Sequence, residues 1–186
     1  MSGYCDKAPG HPVHNDYHEF EYGFPVEDER VLFERLALEI MQAGLSWEIV
    51  LKKRQALNKA FHKFSVNRVA KYTARDIARL LRDEGIIRNR LKIKAIVDNA
   101  RRIMALRKSH KGFARWIAAH HPLTKPQWVK VFRTQFVFTG GEITGEFLMS
   151  IGYLPGAHRE DCASHKKILN HNPPWAAAKK KGFAYK

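Results

Sequence analysis

A chain of 186 residues, 45% of them hydrophobic, suits one domain, or one domain with a small appendage, around an ordinary core. The formal charge of +15 and pI near 10 point to a polyanionic partner, because so many like charges repel unless neutralised; a solubility charge or a basic tail is the alternative. No run is apolar enough to span a membrane and no signal or lipidation motif is visible, which argues against a membrane protein and leaves a reducing cytoplasmic setting.

Residues 1–25 are polar and turn-rich, and little regular structure is expected there, although they hold Cys5, three histidines and three tyrosines. A helix is expected from about Asp28 to Ala43, with Leu32, Phe33, Leu36, Ala37 and Ile40 on one face and Glu39 beside that stripe. Gly44 caps it, and Ser46 opens a second helix that runs to about Lys63. Ser65 can cap a short helix, and Thr73 with Asp76 has capping-box form for a further one ending near Glu84. After a glycine turn at Gly85 a long helix is expected to about Leu106, then helices near 113–120, 125–135 and 142–151. No period-2 alternation and no internal repeat is visible, so the fold class is all-α. Residues 1–162 read as one helical domain, and residues 163–186, with six lysines and no acid, as a basic tail, mobile in expectation.

Three constellations could carry chemistry. In residues 39–54, Glu39 could read a polar ligand, Trp47 could stack on a flat ring, and Lys52, Lys53 and Arg54 could hold an anion; the alternative is a helix corner with a solvated basic end. The turn at Gly85, with Ile86 and Ile87 tucked inward and Arg88, Asn89, Arg90 and Lys92 around the exposed end, has the form of a helix–hairpin–helix phosphate site, or of a plain corner with a charged rim. Cys5 and His18 near one end, and His158 and Cys162 at i and i+4 near the other, suit a tetrahedral zinc with four filled positions and hence a structural role; unrelated cysteines are the alternative. Tyr17 precedes His18, so such a clasp would fix Tyr17 near Trp47, with Tyr22 a further candidate.

Taken together these residues resemble the 3-methyladenine DNA glycosylase I family over about residues 5–162. The carriers are Cys5, Tyr17 with His18, Leu32 to Glu34, Leu38 with Glu39, QAGLSW at 42–47, VLKKR at 50–54, GIIR at 85–88, Asn99 with Ala100, His158 and Cys162. The resemblance implies a helix–hairpin–helix DNA glycosylase with a structural zinc on Cys5, His18, His158 and Cys162. It implies base recognition and catalysis by Glu39, stacking by Tyr17 and Trp47, and a wedge at Gly44 and Leu45 that fills the gap an extruded base leaves. DNA contacts would come from Lys52, Lys53, Gly85, Arg88 and Arg90. The expected reaction is hydrolysis of the N-glycosidic bond of cationic 3-methyladenine in double-stranded DNA, by a monomer and without strand cleavage. Asp98 is expected to be solvated on the helix after the hairpin and not catalytic.

The chain departs from the family pattern at His14, where an aromatic is usual, at Tyr22, where Trp is usual, and over residues 136–146. Within that last segment Glu142 and Glu146 are read as surface helix residues, with a pocket-facing position as the alternative. These departures motivate a second reading, a non-catalytic or altered-specificity helix–hairpin–helix protein that binds damaged DNA.

Overall fold

The computed structural model describes residues 3–185. Among these every regular element is helical: α1 (Gly3–Lys7), α2 (Asn15–Phe20), α3 (Glu29–Gln42), α4 (Trp47–Ala60), α5 (Val66–Val69), α6 (Ala74–Arg82), α7 (Arg90–His110), α8 (Phe113–His120), α9 (Lys125–Gln135), α10 (Gly141–Ser150), α11 (Ala163–Asn170) and α12 (Pro174–Lys180), with a single tight turn at His62–Phe64. None is long and apolar enough to cross a membrane.

Helix α3 is the axis of the fold. The Asp28 side chain accepts from Val31 N and starts it. Every residue from Leu32 to Met41 is then buried, because α4, α5, α7, α8 and α10 pack around it. The apolar stripe expected on one face is therefore wrapped on all sides, and Glu34, Arg35 and Glu39 go inside with it. Two of these three ions are compensated. Arg54 donates to Glu34 at 2.8 Å and to both Glu21 oxygens at 2.7 and 2.9 Å, and Arg35 donates to Glu21 at 2.9 Å. Arg54 is thus spent on an internal network, and the expectation that it grips an anion beside Lys52 and Lys53 is corrected.

Gly44, at φ +78°, reverses the chain, and Ser46 caps α4 by accepting from Ile49 N. Helix α4 ends at Ala60, earlier than periodicity suggests, because His62, Lys63 and Phe64 turn left-handed and drive Phe64 into the core. Helices α6 and α7 form the hairpin. The capping box of Thr73 and Asp76 starts α6, and Asn89 caps α7 by accepting from Leu91 N and Lys92 N. A side chain at Gly85 would meet Asp83 Oδ1 at 3.1 Å and Ala56 Cβ at 3.2 Å, so α4 packs closely against this turn and a larger residue would require its neighbours to shift. Lys92, expected as an exposed donor at the hairpin tip, is buried instead. Its ammonium donates to the carbonyls of Met41 and Ala43, so α7 caps the C-terminus of α3. Asn99 is fully buried and brackets Val137, donating to its carbonyl at 3.0 Å and accepting from its N–H at 2.9 Å.

Both ends of the described chain are more ordered than the sequence suggests. The first 25 residues contain α1 and α2, and the segment after Cys162, expected as a mobile tail, forms α11 and α12. Ser164, Ile168, Ala176 and Ala178 are buried, and Lys167 pairs with Glu19 of α2 at 2.7 Å.

Replacing Lys92 with Met keeps the volume and leaves two carbonyls at the end of α3 without a donor. The expected cost is about 1–3 kcal/mol, read as a lower urea midpoint at unchanged slope. An unchanged midpoint would show that Lys92 does not hold α3 to α7.

Candidate active site and metal centre

A cavity of about 370 Å³ opens beside the end of α3. Its walls include Tyr4 from α1, Tyr17 from α2, Tyr22 from the following loop, Glu39 and Gln42 from α3, Trp47 from the first turn of α4, and Glu146 and Met149 from α10. Glu39 is 4% exposed. Unlike Glu34 and Arg35 on the same helix, its carboxyl has no hydrogen-bond partner among the described residues. Burial, reinforced by the neighbouring Glu146 and only partly offset by Arg35, pushes its pKa up to about 8. That shift favours the neutral carboxyl at pH 7, and a cation or hydrogen-bond donor placed beside it would favour the ionised form.

The aromatic walls are fixed by the ions behind them. Arg35 lies 5.0 Å from the centre of the Tyr17 ring and donates to the Tyr17 hydroxyl, to Glu21 O and to Ser150 O. The Tyr17 and Trp47 rings have centroids 5.1 Å apart at 59°. A flat ring sandwiched between them would need about 7 Å, so the two form adjoining walls of one corner and not parallel jaws. Tyr22 donates to Glu146 at 2.9 Å. Burial raises the pKa of Tyr17 and of Tyr22 and keeps both hydroxyls protonated.

The residues expected to bind the base converge here. Glu39, Tyr17, Trp47 and Tyr22 share the cavity. Glu146 does so too, which corrects its reading as a surface residue, whereas Glu142 is exposed and pairs with Lys125 at 3.2 Å. His14 sits at the rim, 3.4 Å from the Tyr4 hydroxyl. Tyr4 itself was not anticipated. Its only sequence signal is its position one residue before Cys5, which makes any clasp that fixes Cys5 fix Tyr4 as well.

The hairpin face lies apart from the cavity. Leu45 is 38% exposed at the turn after Gly44, so that turn presents an apolar side chain outward and is not a core corner. Lys53 donates to the carbonyls of Glu84 and Gly85 at 3.2 and 3.0 Å, tying α4 to the hairpin. Lys52 pairs with Glu48 at 2.7 Å on the surface, and Arg88 with Glu84 at 3.6 Å. Gly85 N donates to Asp83. Arg90 is exposed and has no acidic partner among the described residues. Asp98 pairs with Arg101 at 2.8 Å, as expected of a surface acid.

Cys5, His18, His158 and Cys162 meet, with their ligand atoms within 4.8 Å of one another. His158 Nδ1 lies 3.7 Å from Cys5 Sγ and 3.6 Å from Cys162 Sγ, and His18 Nε2 lies 3.8 Å from Cys162 Sγ. Tetrahedral bonds of about 2.3 Å to sulfur and 2.0 Å to nitrogen separate such atoms by about 3.5 Å, so the residues fit a metal ion. The outer ring nitrogens are also held: His158 Nε2 faces Tyr22 O at 2.8 Å, and His18 Nδ1 faces Glu19 at 3.1 Å. The four residues meet where α1 and α2 come against the segment before α11, close to Tyr4, Tyr17 and Tyr22 in the chain or in space.

Comparison with known proteins adds the following. The methyladenine glycosylase family profile matches residues 7–135. A DNA-3-methyladenine glycosylase of Haemophilus influenzae is 36% identical over 181 residues, covering 87% of this chain and 97% of its own. A DNA-3-methyladenine glycosylase 1 of Escherichia coli is 41% identical over 113 residues, covering 61% and 60%. A solved structure of a 3-methyladenine DNA glycosylase I from Staphylococcus aureus superposes with a TM-score of 0.78 at 30% identity, covering 87% of this chain and 96% of that one.

The buried carboxyl has a measurable consequence for stability. Between its ordinary value of 4.5 and about 8, the unfolded chain releases the Glu39 proton while the folded chain keeps it, so this group lowers stability as pH rises through that window. Glu39→Gln removes the effect. The variant is expected to melt roughly 10 °C above the parent at pH 8, a gain of about 4 kcal/mol, and to match it near pH 4. Equal melting temperatures at both pH values would contradict the burial of an unpartnered acid.

Proposed function

The chain belongs to the 3-methyladenine DNA glycosylase I family, and we propose that the cavity around Glu39 is where it removes 3-methyladenine from DNA as a base-excision repair glycosylase. The observation that carries this reading is one buried carboxyl, left without a partner, in a corner of aromatic rings. That arrangement suits a flat, cationic heterocycle with N–H donors on its edge and suits little else.

The chemistry follows from the substrate. Methylation at N3 puts a positive charge on the adenine and weakens its bond to the sugar. Flipping the nucleotide brings the base against Tyr17 and Trp47, and its charge lets Glu39 release its proton and accept from the adenine edge. The C1′–N9 bond breaks with its electron pair going to N9, which neutralises the base. Water adds at C1′ and gives up a proton, leaving an abasic sugar. Glu39 opposes the cation as it forms this complex, and the desolvated corner strengthens that attraction. No lysine stands among the cavity-lining residues, which favours hydrolysis without Schiff-base strand cleavage.

Leu45, outward at the turn after Gly44, suits a wedge into the duplex. Arg88, Arg90 and Lys52, with the backbone of the hairpin at Gly85, suit salt-dependent phosphate contacts by a single chain on double-stranded DNA. Lys53 serves that surface by holding the hairpin to α4. The ion that best fits Cys5, His18, His158 and Cys162 is zinc; when bound it cross-links the terminal segments, and no chemical step passes through it.

Alkylated duplex DNA incubated with the protein is expected to release free 3-methyladenine well above the spontaneous rate. Trp47→Ala and Glu39→Gln should each lower kcat/KM by about 10- to 100-fold. Release no faster than in buffer, with tight binding to abasic DNA retained, would instead support a non-catalytic damage-binding protein. Metal analysis is expected to find one zinc per chain, and Cys162→Ser to lose it together with thermal stability. Chelation that altered activity reversibly without moving the melt would assign the metal a regulatory role.

A further inference from the structure

We propose that Glu146 is a second base-recognition carboxylate, and that its presence in the cavity with Glu39 selects positively charged bases over neutral purines. The proposal rests on the glycosylase reading above and adds a specificity determinant to it. Helix α10 delivers Glu146 inward because its neighbours Thr144, Gly145 and Phe147 are buried against the core. One carboxyl oxygen, Oε2, accepts from the Tyr22 hydroxyl at 2.9 Å, which fixes the group; Oε1 has no partner among the described residues. Both Glu146 and Tyr22 line the same cavity as Glu39.

Charges reach Glu146 from several elements. Among the described residues Tyr22 comes from the loop after α2, Glu39 from α3, Lys125 from α9 and Glu142 from α10 itself, and the charge of the chain's α-amino group also acts on it; Tyr4 and Tyr17 complete the aromatic side, and Arg35 acts from behind Glu39. Lys125 offsets Glu146 only in part. Its stem crosses Gly145, where a Cβ would lie 2.7 Å from Lys125 Cε, and its ammonium reaches the exposed Glu142 at 3.2 Å. Burial holds the Glu146 carboxyl above its ordinary range, as it does for Glu39. Burial raises the pKa of both acids, so ionising them side by side is costly, and a cation placed between them lowers that cost. A neutral purine brings no such charge and leaves the cost in place. A cationic purine lets the pair ionise and is bound by both.

The test compares a permanently charged ligand, N3,N9-dimethyladeninium, with neutral 9-methyladenine, each titrated by tryptophan fluorescence between pH 5 and 9. The wild-type protein is expected to prefer the cation, increasingly so as pH rises. Glu146→Gln should reduce that preference by about tenfold at pH 8, the order of one lost charge contact, while affinity for the neutral ligand stays within threefold. Glu146→Asp should restore part of it. Should Glu146→Gln fail to fold, Tyr22→Phe, which frees Glu146 from its orienting hydroxyl, is expected to lower the preference by about threefold. An unchanged preference in these variants overturns the proposal. Release of 3-methyladenine from alkylated DNA by the wild type is measured in parallel: its absence overturns the glycosylase reading, whereas Glu146 is judged by the ligand preference alone.

Discussion

The rest of this structure is arranged around a carboxyl that folding leaves unsatisfied. Helix α3 is wrapped on all sides, so each ion on it must be compensated or neutral. Arg54 and Glu21 compensate Glu34 and Arg35. Glu39 has no hydrogen-bond partner among the described residues and only a partial offset from Arg35, and burial pushes its pKa up to about 8. A fold selected for stability alone would place an apolar residue there. The arrangement makes sense when the missing partner is a ligand, and the aromatic walls around it specify that ligand as flat and cationic.

Holding those walls is the task of elements distant in sequence. Tyr4, Tyr17 and Tyr22 lie on short helices and loops that could not stay folded alone. They are pinned from two sides. The Cys5, His18, His158 and Cys162 side chains meet where α1, α2 and the segment before α11 come together, and Arg35 anchors Tyr17 and Glu21 from the core. A further tie, Lys92 on the carbonyls that end α3, fixes the turn from which Leu45 projects. The cavity, the Cys and His group and the turn that carries Leu45 thus share one scaffold.

Much of this was legible in the sequence because it is local. Helix starts at Asp28, Ser46 and Asn89 each depend on a side chain reaching a backbone N–H a few residues on, and at Thr73 the Asp76 carboxylate reaches back to the Thr73 N–H; the structure forms those bonds. The run from Gln42 to Trp47 and the paired Cys and His residues carried the family. What was not legible depends on long-range partners. Lys92 and Lys53 look like surface cations until the carbonyls they meet, from other helices, are known. Arg54 reads as an anion grip until Glu21 and Glu34 arrive from other elements. Glu146 looks like a solvated helix residue because its burial comes from packing of α10 on α9 and α3, and Tyr4 is hidden in a segment whose order depends on the clasp. The left-handed turn at His62–Phe64 has no glycine to announce it; the burial of Phe64 compensates its strain.

The most direct test is the ionisation of Glu39 itself. Carbon-13 labelling of glutamate carboxyls, with the Glu39 signal assigned by its loss in Glu39→Gln, allows its titration to be followed with the cavity empty and with N3,N9-dimethyladeninium bound. The account expects a midpoint near 8 in the empty protein, and one at or below the ordinary glutamate value of 4.5 in the complex. An ordinary midpoint in the empty protein, or one that ligand binding leaves in place, would contradict the claim that this buried acid is kept neutral until a cationic base arrives.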